Sequence, residues 1–172
     1  RRRCAEAGKN LDDDTIESIA LAALKFTDLM HDVKSDYIFD PAAVTSFEGR
    51  TGPYILYTAV RLNSVLRRAG NECAAQPAMP ANLAADERNL IIELLDFERT
   101  VRSAFDNRAT DQLANYAYDL CQLINTFYHN CPILRDDVDP QTRCTRLHIA
   151  RAAQATLSTV ISLMGLRIPN EM

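Results

Sequence analysis

An all-α, antiparallel helical bundle is the fold class this sequence predicts. No segment alternates apolar and polar residues convincingly enough for a strand, several stretches repeat apolar residues at helical spacing, and glycine or proline punctuates the joins between them. The first helix spans Asp12 to about Lys34, with Asp13 or Asp14 able to cap it and Ile16, Ile19, Ala20, Ala23, Leu24 and Thr27 forming its apolar stripe. Asp40-Pro41 opens a short helical piece. A loop containing Gly49 and Gly52 then feeds a helix from about Pro53 to Ala69, for which Gly70 is the C-cap. Residues 71–85, with Pro77 and Pro80, read as an exposed connection without chemistry. Asp86 to Asp106 carries Leu90, Ile91, Leu94, Leu95, Val101 and Phe105 at helical spacing, with a bend near Phe97. Asp111 to His129 repeats the pattern through Leu113, Tyr116, Ala117, Leu120, Ile124, Phe127 and Tyr128. The last long helix, about Pro140 to Met164, shows Leu147, Ala150, Leu157, Val160, Ile161 and Met164 before Gly165 stops it. There is no internal repeat or low-complexity tract.

A chain of 172 residues is long enough to bury a self-sufficient core. Its 47% hydrophobic and 24% charged residues are those of an ordinary globular protein, and no apolar run approaches the roughly 20 residues of a membrane span. Arg1-Arg2-Arg3 is followed by a polar, acidic stretch rather than the apolar core of a secretory signal. The cysteines (Cys4, Cys73, Cys121, Cys131, Cys144) are odd in number and carry no Cys-x-x-Cys pair or matching histidine spacing. They are expected to be reduced thiols, with Cys121 and Cys144 packing as small apolar residues and no zinc site.

A net charge of −4 excludes a uniformly basic nucleic-acid binder, so the distribution of charge carries the information. Asn10 to Glu48 holds nine acidic residues against Lys25 and Lys34, a poor surface for RNA. Gly49 to Met172 is balanced, thirteen against thirteen, and between Pro140 and Asn170 the arginines Arg143, Arg146, Arg151 and Arg167 meet no acid. RNA is expected to favour this half. The sixteen arginines against three lysines suit phosphate recognition and base stacking, but an alanine- and arginine-rich chain equally follows from GC-rich coding.

The loop-to-helix segment Thr45 to Leu66 is the most informative. Gly49 and Gly52 permit a tight, left-handed backbone, and Pro53 suits the first helical position. Tyr54, Tyr57 and Arg61 follow at i, i+3 and i+7, placing two phenol rings and a guanidinium on one helical face. Such a face can receive an unstacked base, or it can be half-buried packing with Arg61 paired to a carboxylate. Other groups suggest no chemistry: His31, His129 and His148 form no catalytic set, Asp136 and Asp137 sit in a turn, and Arg143 and Arg146 read as structural.

The same segment resembles the start of the C-terminal, DALR-type anticodon-binding domain of arginyl-tRNA synthetases, which are class I aminoacyl-tRNA synthetases. The resemblance continues through Ala23-Leu24-Lys25-Phe26-Thr27-Asp28-Leu29 and Asp36-Tyr37-Ile38-Phe39-Asp40. Downstream it takes in Asn125 to Leu134, Arg143 to Leu147 and Leu163 to Met172, in the family's order over nearly the whole chain. It implies a bundle of the class I synthetase anticodon-binding type over residues 46–172, and in residues 1–45 the end of the catalytic half with its connector helix. By the same likeness Tyr54, Tyr57, Arg61 and Met172 are expected to bind the anticodon, with loop contacts from Ser46, Phe47, Gly49, Arg50 and Thr51, and no catalytic or metal-binding residue. The HIGH-type and KMSKS-type motifs are absent, so the resemblance implies an inactive piece of a longer ligase, its catalytic domain missing. That parent would join arginine to its tRNA with ATP and magnesium, whereas the piece needs no cofactor. The expected partners are arginine tRNA and the catalytic domain of the same chain, with no membrane, in a cytoplasmic monomer. The alternatives are a helical protein-interaction scaffold, or the related domain of another class I synthetase such as the cysteine enzyme.

Overall fold

The computed structural model describes residues 11–73 and 82–172. The basic N-terminus, Cys4, and Pro77 and Pro80 of the connection lie outside them. Among the described residues the chain is all-α: α1 (Asp13–Leu29), α2 (Pro41–Val44), α3 (Gly52–Ala69), α4 (Ala85–Leu95), α5 (Phe97–Asn107), α6 (Thr110–Asn130) and α7 (Pro140–Leu163).

Helix α1 differs from expectation at both ends. Its cap is Asp12, whose carboxylate accepts the Thr15 N–H at 2.7 Å and is held below its ordinary pKa by that bond. Asp13 and Asp14 instead occupy the first turn, where negative charge suits the helix dipole. The helix stops at Leu29 because Asp32 diverts the chain, its carboxylate accepting the Lys34 N–H at 2.7 Å and its carbonyl the Ser35 N–H at 2.9 Å. The buried stripe runs through Thr15, Ile19, Ala22, Ala23, Phe26 and Thr27, rotated from the one expected, so that Ala20 and Leu24 face outward.

The other helices follow local signals closely. Thr51 caps α3, accepting the Tyr54 N–H at 3.3 Å, and Gly70 closes it at φ +55°. The bend expected near Phe97 is a break at Asp96, which ends α4 and starts α5. Asp139 caps α7 through the N–H groups of Gln141 and Thr142, at 3.1 and 3.0 Å, and Gly165 at φ +66° ends it. There Lys25 donates to the Gly165 carbonyl at 2.7 Å and ties α1 to the C-terminal segment.

Phe26, Ile55, Leu56, Leu120, Phe127, Leu147, Leu157 and Ile161 meet in one core, with α6 and α7 packed on α3 and α4. Helix α1 crosses α3 at a close approach: a Cβ on Gly52 would lie 2.0 Å from the Ala22 carbonyl oxygen. Gly52 is therefore a contact glycine, not the left-handed turn residue its sequence context suggests; only Gly49 has that conformation in the loop, at φ +79°.

The cysteine expectation is corrected. Cys73 and Cys144 are joined as a disulfide, Cα to Cα 5.2 Å, linking the turn after α3 to the start of α7. A separation of 71 residues with no motif hides such a pair in the sequence. Cys121 and Cys131 are free and buried.

Candidate nucleic-acid interface

The loop before α3 closes on itself. The Thr51 hydroxyl donates to the Ser46 carbonyl at 2.6 Å, the Thr51 N–H to the Gly49 carbonyl at 3.0 Å, and the Glu48 N–H to the Ser46 hydroxyl at 3.1 Å. Thr51 thus both closes the loop and caps the helix, which fixes where Tyr54 begins. Ser46 and Phe47 are half-buried in this loop, while Gly49 and Arg50 are exposed.

The tyrosines take different positions. Tyr57 is 37% exposed at the surface of α3. Tyr54 is half-buried against α6: its hydroxyl accepts from Asn125 Nδ2 at 2.9 Å, and its ring lies tilted to Tyr118 with centroids 5.7 Å apart. Desolvation raises the Tyr54 pKa, against the opposing Asn125 bond, so the phenol stays neutral and keeps its O–H as a donor. Asn125 also donates to the Thr58 hydroxyl at 3.1 Å, pinning α3 to α6 between the rings.

Each end of this pair of helices carries a cation over a ring. The Arg50 guanidinium stands 4.8 Å from the Tyr118 ring centroid and reaches Asp119 only at 4.0 Å. The exposed Arg61 places its guanidinium 4.3 Å from the ring centroid of the half-buried Tyr128 and is stacked there, with no carboxylate paired to it among the described residues. The α3–α6 seam thus forms a shallow groove: Thr58, Arg61, Leu62, Asn125 and Tyr128 line a small recess in it, and the tilted rings of Tyr54 and Tyr118 meet farther along the same seam. Tyr118 and Asn125 were not read as site residues from sequence, and Tyr128 was assigned to the apolar stripe. Their spacing, i, i+7 and i+10, puts all three on one face of α6 and was the available signal. Below the groove, burial pushes the Cys121 thiol far up, leaving it an inert packing group.

Met172 is half-buried against the core, and the tail leading to it runs with Ile168, Pro169 and Asn170 beside Asn63, Leu66 and Arg67, on the other side of α3 from Tyr54.

Three of the four arginines between Pro140 and Asn170, which meet no acid in the local sequence, find partners within the fold. Arg146 makes an ion pair of 2.6 Å with Glu87 and donates to the Pro132 carbonyl at 2.7 Å, with side chains only 15% and 5% exposed. Arg143 donates to the Arg135 carbonyl at 2.8 Å and faces Glu72 at 3.9 Å. Arg151 holds the carbonyls of Glu72 and Cys73 at 2.6 and 3.2 Å. The acids and carbonyls come from other elements, out of view of the local sequence. Arg143 and Arg146 are structural, as read. Of the histidines, His31 stacks on Tyr37 in parallel at 4.2 Å, on a different part of the molecule from His129 and His148. Among the described residues no three of His, Cys, Asp and Glu are grouped to hold a metal, and no helix is long and apolar enough to cross a membrane.

Residues 55–172 match the model of the DALR anticodon binding domain. The chain is 40% identical over 154 residues to an arginine–tRNA ligase of Maricaulis maris, covering 90% of this chain and 26% of that protein. It is 35% identical over 161 residues to that of Alkaliphilus oremlandii, covering 93% and 27%. The solved arginyl-tRNA synthetase of Thermus thermophilus superposes with a TM-score of 0.89 at 30% identity, covering 99% of this chain and 30% of that one. The chain therefore spans a little over a quarter of the length of these relatives.

Proposed function

The chain belongs to the DALR anticodon-binding domain family, and from that premise we propose that it is the tRNA-reading module of an arginine–tRNA ligase. The groove between α3 and α6 holds unstacked bases of the anticodon loop of arginine tRNA. The observation that carries this reading is the row of tyrosines with Arg50 and Arg61 over its ends, since sequence-tolerant stacking with cationic support is how single-stranded nucleic acid is held. Tyr57 supplies an exposed ring, Arg61 a cation for a phosphate or a base edge, and the loop Ser46–Thr51 a fixed rim. Met172, at the end of the C-terminal tail, supplies a further contact to the anticodon loop.

The module takes residues 46–172, with 1–45 the end of the catalytic half and its connector. Support comes from the family match lying within 55–172 and from the acidity of Asn10–Glu48. Holding the anticodon loop orients the acceptor end toward the catalytic domain of the parent, which joins arginine to tRNA using ATP and magnesium. The module itself needs no cofactor, and the ligase works as a cytoplasmic monomer. The similar proteins above are arginine enzymes, which favours that substrate over the cysteine system.

The test is a titration of the chain against arginine tRNA and against the same tRNA altered at the middle anticodon base, at two salt concentrations. The reading expects weaker binding of the altered tRNA at both. Equal affinities, measurable at low salt only, would overturn it. Tyr57→Ala is expected to weaken RNA binding by roughly 1–3 kcal/mol with the fold intact. Loss of stability with unchanged binding per folded molecule would favour a scaffold domain instead.

A further inference from the structure

Beyond Tyr128 the groove continues into a second recess. Val65 and Arg68 of α3, Tyr128 and His129 of α6, and Ile133 and Arg135 of the following segment line a cleft of about 330 Å³. Its floor is apolar, since Val65 and Ile133 are buried core residues, and its exposed rim carries Arg68, His129 and Arg135. Among the described residues no carboxylate lines it. Asp137 approaches only by forking Arg135, at 2.7 and 3.0 Å, and Asp86 is held behind the end of α6 by Asn130 at 2.9 Å. Arg68 and His129 form no hydrogen bond or ion pair among the described residues, in contrast to Arg143 and Arg146.

Geometry joins this cleft to the groove. Tyr54, Arg61, Val65 and Arg68 follow at i, i+7, i+11 and i+14, within about 60° of one another around α3. From Tyr54 to Arg68 the helix rises roughly 21 Å, while a stacked strand advances about 3.4 Å per nucleotide. The track is thus longer than a triplet of bases. Tyr128 belongs to both parts, beneath Arg61 in the groove and in the wall of the cleft.

We infer that the cleft at Val65, Arg68, Tyr128, His129, Ile133 and Arg135 is a second nucleotide site, which takes a base flanking the anticodon triplet against its apolar floor and that nucleotide's phosphate on Arg68 and His129. The inference rests on the anticodon-binding reading of the groove and adds to it a contact outside the triplet. An apolar slot fits a base face, and a guanidinium and an imidazole without partners among the described residues fit a phosphate that must be gained from outside. An acidic peptide would satisfy the cations but gives no reason for the continuity with the tyrosine groove.

The test uses the chain and an anticodon stem-loop of arginine tRNA, with Arg68→Ala, the double variant Arg68→Ala/His129→Ala, and Tyr57→Ala as reference. Arg68→Ala is expected to weaken binding about fivefold and to reduce the slope of log affinity against log salt by about 0.7 for the lost phosphate contact. Discrimination at the middle anticodon base should stay unchanged. Abasic substitution at each nucleotide flanking the triplet should cost about tenfold at one position, and less once Arg68 and His129 are removed together. Both variants should keep the wild-type unfolding midpoint, because neither side chain has a partner to lose among the described residues. If Tyr57→Ala weakens binding while the cation variants leave affinity and salt slope unchanged, the second site is wrong and the groove reading stands. If the stem-loop binds no better than an unrelated hairpin, both are wrong.

Discussion

Two clusters of arginine sit in this molecule and have opposite fates. In α7, Arg143, Arg146 and Arg151 are consumed by Glu72, Glu87 and backbone carbonyls. Along the α3–α6 groove, Arg50 and Arg61 lie over tyrosine rings, and Arg68 has no partner among the described residues. The residue type is the same, and the difference lies in what surrounds it. A guanidinium whose donors are met inside the fold strengthens the fold, whereas one resting on a ring keeps its donors pointed outward for a ligand. Counting cations along a chain cannot separate these cases, since the acids that neutralise α7 come from the turn after α3 and from α4.

The sharpest way to break the contrast is Arg146→Ala. It strips the partner from a buried Glu87 and should cost about 3–5 kcal/mol in denaturant unfolding, without changing RNA affinity per folded molecule. A stable variant with weakened binding would erase the distinction. Next in size is Gly52→Ala, whose new methyl would collide with the Ala22 carbonyl; a loss of about 1–3 kcal/mol, or more if α1 cannot shift, is expected by thermal melting. Arg61→Ala should do the reverse of Arg146→Ala, costing only about 0.5–1 kcal/mol of stability from the lost ring contact while lowering the salt dependence of RNA binding. The smallest effect concerns acid. The Asp139 carboxyl is held below its ordinary pKa by Thr142, so its stabilisation is present above the unfolded value and lost as pH falls through the folded one. Asp139→Asn should flatten that part of the acid-unfolding curve and leave RNA binding at neutral pH unaltered. A change in neutral-pH binding would mean that α7 takes part in recognition.

Most of the fold was legible because its signals are local. Pro53, Gly70, Asp40-Pro41 and Gly165 mark helix ends through backbone conformation that neighbours set, and the apolar stripes of α6 and α7 are long enough to read. What failed depended on tertiary partners. The stripe of α1 is off by about one residue because the local pattern tolerates two faces and packing against α3 and α6 selects one. Gly52 was given a turn role because contact glycines and turn glycines look alike until another backbone arrives. The candidate site was half legible. Tyr54, Tyr57 and Arg61 share a helix and could be placed together, but Tyr118, Asn125 and Tyr128 complete the groove from a helix more than fifty residues downstream. The disulfide between Cys73 and Cys144 belongs to the same class of non-local fact.

The crossing at Gly52 also governs how motion passes through the molecule. Side chains between helices act as compliant spacers, flexing through rotamers before a displacement reaches the far side. Here the first turn of α3 abuts the backbone of α1 with no such spacer, two residues before Tyr54. A tilt of α1 therefore has no compliant layer to cross before it meets the helix that carries Tyr54.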